Sequence, residues 1–154
     1  MAENNLDILE KKIGYIFNDK ELLQKALTHK TFAFEARTPI EYNERLEFLG
    51  DSILNFVVAE QLYRSNKYFS EGELTRRRAI IVNNDFLADK ADILSIGRFL
   101  RLGRGEIKQK GYKNRTNLAN ALEALIGAIY LDSGIDEARR FIMENILQAS
   151  PETL

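Results

Sequence analysis

A chain of 154 residues, 45% of them hydrophobic, is long enough to close one core and too short for two, which excludes a multidomain reading. It holds no cysteine, and 22 Lys and Arg stand against 23 Asp and Glu. Disulfides, thiolate metal sites and a global basic field for nucleic acid are therefore excluded, and any such binding must be local.

The N-terminal MAENNLDILEKKIGYIFNDK has no apolar signal region, and no segment reaches the roughly 18 apolar residues of a membrane span. The expectation is a cytoplasmic chain with no membrane partner. Leu6, Leu9 and Ile13 mark a first helix that stops near Gly14. Asn18 or Asp19 can cap a second, with Leu22, Leu23, Ala26 and Leu27 as its buried stripe. TFAFEARTPIEY reads as a loop, broken by Thr38 and Pro39. A long, largely buried helix is expected from Tyr42 to Ser65, and Ser70 then caps another with Glu73 as its capping-box partner.

Asn84 to Leu94 reads as helical, and Gly97, Gly103, Gly105 and Gly111 make the next segment a basic loop. Asn117 to Leu131 is a strongly apolar helix, and Ile135 to Leu147 a final amphipathic one ended by Pro151. No segment alternates with a period of two, so the fold class is all-α, a single domain over 1–154 of about seven or eight helices. Residues 149–154 read as a tail or the start of a linker.

The segment NERLEFLGDSIL places Glu44, Glu47 and Asp51 on one helical stripe. Such like charges repel and, if buried, demand partners. The apolar helix LANALEALIGAIYLD carries Asn120 and Glu123 on one face as well. Two such helices facing each other would gather oxygen ligands suited to a hard cation such as Mg²⁺, and Gly50 and Gly127 would let the backbones approach closely. The competing reading makes these acids surface residues, or ion pairs with Arg45 and Arg64; spacing leaves both open. Arg76 to Arg78, and Arg98 to Arg115 with Arg104 and Lys108, are the basic patches. His29 stands apart from the acids and is expected to be structural, its ring hydrogen-bonded in the core.

These motifs resemble the ribonuclease III family. NERLEFLGDSIL contains the whole of the family's ERLEFLGD signature, and ALTHKTF, EGELTRRRAIIVN, LRLGRGE and ANALEALIGAIYLD are similar to its other segments along nearly the whole chain. The resemblance implies an all-helical, homodimeric nuclease domain that hydrolyses double-stranded RNA with Mg²⁺ (or Mn²⁺), leaving short 3′ overhangs, in RNA processing. It implies that Glu47, Asp51 and Glu123 are metal-site and catalytic residues, with Asn120 or water in the remaining place. Glu44 and Glu71 would be acidic neighbours of the cleavage valley, and Phe48 the ball of a dimer contact. Arg76, Arg77, Arg104 and Lys108 are the expected phosphate contacts.

Asn120 departs from the family, which usually has Asp there. An amide offers a metal one neutral oxygen and removes a negative charge. It is compatible with an active natural variant, with a change engineered to disable cleavage, or with a dimeric RNA binder that does not cut. The intact acids favour the first. Family enzymes also usually continue into a double-stranded RNA-binding domain, whereas this chain stops at SPETL. Weaker, more salt-sensitive RNA binding is the expectation.

Overall fold

In the computed structural model, residues 5–148 are described, and among them nine α-helices are joined by short turns. They are α1 (Asn5–Ile13), α2 (Lys20–Ala26), α3 (Lys30–Glu35), α4 (Glu44–Ser65), α5 (Glu71–Ile81), α6 (Asn84–Ile93), α7 (Arg104–Lys108), α8 (Arg115–Ser133) and α9 (Ile135–Ile142). A π-helical turn, Met143–Leu147, follows α9. The all-α expectation holds, and among the described residues the sole β pairing is an isolated parallel bridge between Thr28 and Arg101. No helix among them is long and apolar enough to cross a membrane. The expected tail at 149–154, with Pro151, lies outside the described residues.

Two segments read as loops contain helix. His29, in extended conformation, caps α3 by accepting from the Thr31 amide; the restriction imposed by Pro39 reaches only the residue before it, leaving 30–35 free to coil. The basic segment holds α7 and the 3₁₀ turns Ile96–Phe99 and Gly111–Lys113. There Asn117 Nδ2 donates to Glu106 Oε1 at 2.9 Å and to the Gly111 carbonyl at 3.1 Å, local bonds that glycine spacing does not announce. Asp19 and Ser70 are caps as expected. Only half of the Ser70 capping box forms, because the Glu73 carboxylate holds Arg76 and Arg77 instead.

Helix α8 is the centre of the molecule: α2, α4, α6 and α9 all pack on it, and Leu118, Leu122, Leu125 and Ile126 are buried. Its start is tied to α6 by Arg115, which reaches Asp89 at 2.6 Å and Asp92 at 3.4 Å. At its end, Asp132 accepts from the Tyr15 hydroxyl and from the amides of Asn18 and Asp19. Arg139 of α9 pairs with Glu60 of α4 at 3.1 Å.

Helix α4 is less buried than its composition suggests. Leu46, Gly50, Leu54, Val57, Val58 and Leu62 face the core, but Phe48, Phe56 and Tyr63 are exposed. Helical spacing puts Phe56 and Tyr63 on one stripe, whereas Phe48, four residues after Glu44 and three before Asp51, borders the acidic stripe. The entry to α4 is pinned by Asn43, whose amide donates to the Thr28 carbonyl at 2.9 Å and whose side chain donates to the Ala26 carbonyl at 3.2 Å.

The α4–α8 contact is made backbone to backbone. A Cβ on Gly50 would overlap the Glu123 carbonyl, and one on Gly127 would overlap the Leu46 carbonyl. Because the clashing atoms are main chain, rotamer changes cannot relieve them. Gly50→Ala is expected to cost at least about 3 kcal/mol by overpacking. Gly105→Ala, where an added Cβ meets nothing within 4 Å, should stay within about 0.5 kcal/mol of the parent. Urea unfolding of the two variants checks this, and equal midpoints would refute the close-contact account.

Candidate functional site

The acidic stripe of α4 lies beside the polar face of α8. Glu44, Glu47, Phe48 and Asp51 line one side of an open depression of about 450 Å³, Asn120 and Glu123 the other, and Asn84, at the start of α6, completes it. No Lys, Arg, His, Ser or Cys is among these residues. The depression therefore offers oxygen ligands and amides, and no protein nucleophile other than a carboxylate.

The carboxylates differ in their surroundings. Glu123 is buried, with 6% of its surface exposed. Burial first, and then its hydrogen bond to Asp51 and the charges of Asp51 and Glu47, push its pKa up to about 8. At neutral pH it is thus largely protonated and donates to Asp51. Glu47 is raised as well, by burial and by Glu44 and Asp51, against the opposing charge of Lys30. Asp51 is exposed and also accepts from Asn55 Nδ2 at 3.2 Å. Glu44 is exposed and pairs with Lys30 at 3.4 Å. Neither Arg45 nor Arg64 pairs with the acids of the stripe: Arg64 reaches Glu60 at 3.7 Å, and Arg45 bears on Glu41.

Asn120 closes the other side. In the orientation that satisfies both ends of its amide, the nitrogen donates to Glu47 Oε1 and to the Thr116 carbonyl, each at 3.3 Å. Among the described residues no three His, Asp or Glu side chains stand in a ready-made metal shell. Glu44 is turned to Lys30, and position 120 brings no carboxylate. The donor chemistry nonetheless fits a hard divalent cation: a proton on Glu123 now relieves the repulsion that a cation at Glu47, Asp51 and Glu123 would relieve.

Other expected residues fall elsewhere. Glu71 accepts from Thr75 Oγ1 at 3.2 Å and lines a separate groove with Phe56, Tyr63, Leu74 and Arg78; within one chain it does not join the carboxylates. Arg76 and Arg77 are both held by Glu73, and Arg77 stacks on Phe69 with 4.1 Å to the ring centre. Arg104 and Lys108 stand exposed on α7. Phe48 is 79% exposed. His29 is a helix cap rather than a core residue: half-buried, with Nδ1 2.7 Å from Thr31 Oγ1. Asn84 was not singled out by sequence, for only the turn between α5 and α6 brings it to the depression.

The fold and site define an all-helical domain with a carboxylate cluster between its two central helices. The chain belongs to the ribonuclease-III-like family, whose model matches residues 19–150. It is 49% identical over 140 residues to Ribonuclease 3 of Pseudomonas aeruginosa, covering 91% of this chain and 58% of that protein. It is 44% identical over 154 residues to Ribonuclease 3 of Cupriavidus taiwanensis, covering 97% and 58%. The chain thus spans a little under three-fifths of the length of these relatives. Among solved structures, the nuclease domain of ribonuclease III from Campylobacter jejuni superposes with a TM-score of 0.88 at 39% identity, over 96% of this chain and 99% of that one. Dicer from Pichia stipitis matches at 0.63 and 28% identity, over 90% of this chain and 57% of that one.

The raised Glu123 has a consequence for stability. Its folded value lies above the unfolded carboxylate's, so its contribution is fully present below the unfolded value of 4.5 and is lost as pH rises through about 8. Glu123→Gln, which cannot ionise, should melt close to the parent near about pH 5 in EDTA and above it by about pH 9. Calorimetry across this range checks it, and parallel melting curves would refute a proton shared at Glu123.

Proposed function

We propose that the chain is the endonuclease domain of a ribonuclease III, cutting double-stranded RNA with Mg²⁺, or Mn²⁺ in its place. The observation that carries this reading is the gathering of Glu47, Asp51 and Glu123 in one depression free of basic side chains, in a chain of this family. A bound divalent cation would supply water activation and charge neutralisation at the scissile phosphate. Glu47, Asp51 and Glu123 would hold it. Glu123 must give up its proton to do so, and its burial between α8 and α4 fixes the direction of its oxygens.

Duplex RNA demands two cuts, which a homodimer provides. Support comes from the exposed apolar stripe on α4: Phe56 is shared by the groove holding Tyr63 and Leu74 and by a shallow depression lined by Leu49, Ile53, Tyr130 and Ile135. Contiguous exposed apolar surface of this kind marks an interface. Phe48, beside the carboxylates, would enter the partner copy and set the two sites across one valley, with Glu44 and Glu71 as further acids along it. Two offset cuts leave short 3′ overhangs. Selection of RNA over DNA would rest on A-form shape and 2′-hydroxyl contacts. Arg104 and Lys108 are the better placed phosphate contacts, because Arg76 and Arg77 are committed to Glu73. The proposed setting is RNA processing in the cytoplasm.

Asn120 supports a second reading, a dimeric RNA binder with impaired cleavage, since its amide engages Glu47 where the family's Asp would add charge. Incubating labelled duplex RNA with Mg²⁺ or Mn²⁺ separates the two. The parent should cleave, and Glu123→Gln should lose at least about a hundredfold in rate while eluting as a dimer on a sizing column. Full activity in that variant would sink the site assignment. A retained gel shift without cleavage, restored to cleavage by Asn120→Asp, would favour the binder.

A further inference from the structure

Asn120 brings an amide to the α8 side of the depression, beside the acids of α4 and Glu123, and its partners say how it is used. Both groups within reach of its nitrogen, Glu47 Oε1 and the Thr116 carbonyl, are acceptors. An Asp in that position would set a carboxylate against a carboxylate and a carbonyl, an arrangement that is costly unless a cation or proton intervenes. Asn120 needs neither, because it donates to both. Its nitrogen, not a ligand oxygen, is therefore what the site receives from position 120.

We infer that Asn120 is a positioning residue that holds Glu47 by hydrogen bonding, leaving a three-carboxylate cation site of reduced affinity. This replaces the expectation that Asn120 is itself a metal ligand, and it rests on the cation-dependent reading proposed above. Charge follows directly. With Asn at 120 the α8 side of the depression contributes one acid, Glu123, beside Glu47 and Asp51 of α4, Glu44 being paired with Lys30; with Asp it would contribute two. Each added carboxylate strengthens divalent binding, by charge and by ligand count. The same addition weakens the cation-free fold, because a further negative charge would stand about 3.3 Å from Glu47 Oε1 and the Thr116 carbonyl.

The test is Mn²⁺ binding, followed by the electron paramagnetic resonance of the free ion and needing no RNA. Asn120→Asp should bind Mn²⁺ at least about tenfold more tightly than the parent and melt at a lower temperature in EDTA. Asn120→Ala, which removes the donor that orients Glu47, should bind Mn²⁺ about tenfold more weakly and also melt below the parent in EDTA, where a purely ligating amide would leave the melt unchanged. Equal affinity of the parent and Asn120→Asp would overturn the inference while leaving the cation reading intact. An Asn120→Ala that melts like the parent in EDTA would overturn it too, because the amide would then act only through the ion, as a ligand. Absence of Mn²⁺ binding in all three proteins would remove the cation reading, and the inference with it.

Discussion

Everything in this domain is arranged around the place where α4 and α8 touch through their backbones. Gly50 lies against the Glu123 carbonyl and Gly127 against the Leu46 carbonyl, so neither residue can carry a side chain without separating the two helices. That approach brings the acidic stripe of α4 within hydrogen-bonding distance of Asn120 and Glu123. It also leaves the Glu123 carboxyl too buried to ionise readily. The site's charge state is therefore a consequence of packing: a slightly wider helix pair would admit water, and Glu123 would titrate as an ordinary acid.

The contacts around this pair keep it in register. Arg115 anchors the start of α8 to α6, Asp132 gathers the Tyr15 hydroxyl and two loop amides at its end, and Asn43 fixes the entry to α4. None of these groups lines the depression, yet each limits how α4 and α8 can slide past one another. A functional site tolerates misplacement of its side chains by only fractions of an ångström, so the supporting bonds matter to the depression although they lie outside it.

Helix α4 serves three surroundings at once. One stripe closes the core, a second carries the acids with Phe48 beside them, and a third presents Phe56 and Tyr63 to the outside. This explains why it reads as a buried helix from composition and is only partly so. Under the proposed function the exposed aromatics would meet a second copy, and the acids an ion. Within a single chain both stripes are incompletely satisfied, the acids being relieved by a proton on Glu123, a pair with Lys30 and the amide of Asn120.

Residue type and spacing by themselves determined the all-α class, the caps at Asp19 and Ser70, the shared face of Glu44, Glu47 and Asp51, and the use of Gly50 and Gly127 for a close approach. These depend on helical periodicity and on the few residues that can occupy a cap or a tight contact, which are local properties. Only the tertiary structure decided that 30–35 coils into a helix, that Arg76 and Arg77 are tied to Glu73, that Asn84 reaches the depression, and that Glu71 does not within one chain. It also decided that the Asn120 amide stands against Glu47 and the Thr116 carbonyl, both acceptors. Such features depend on which groups from distant segments meet, on how much water is excluded between them, and on the partners left for each charge, and no spacing along the chain encodes those distances.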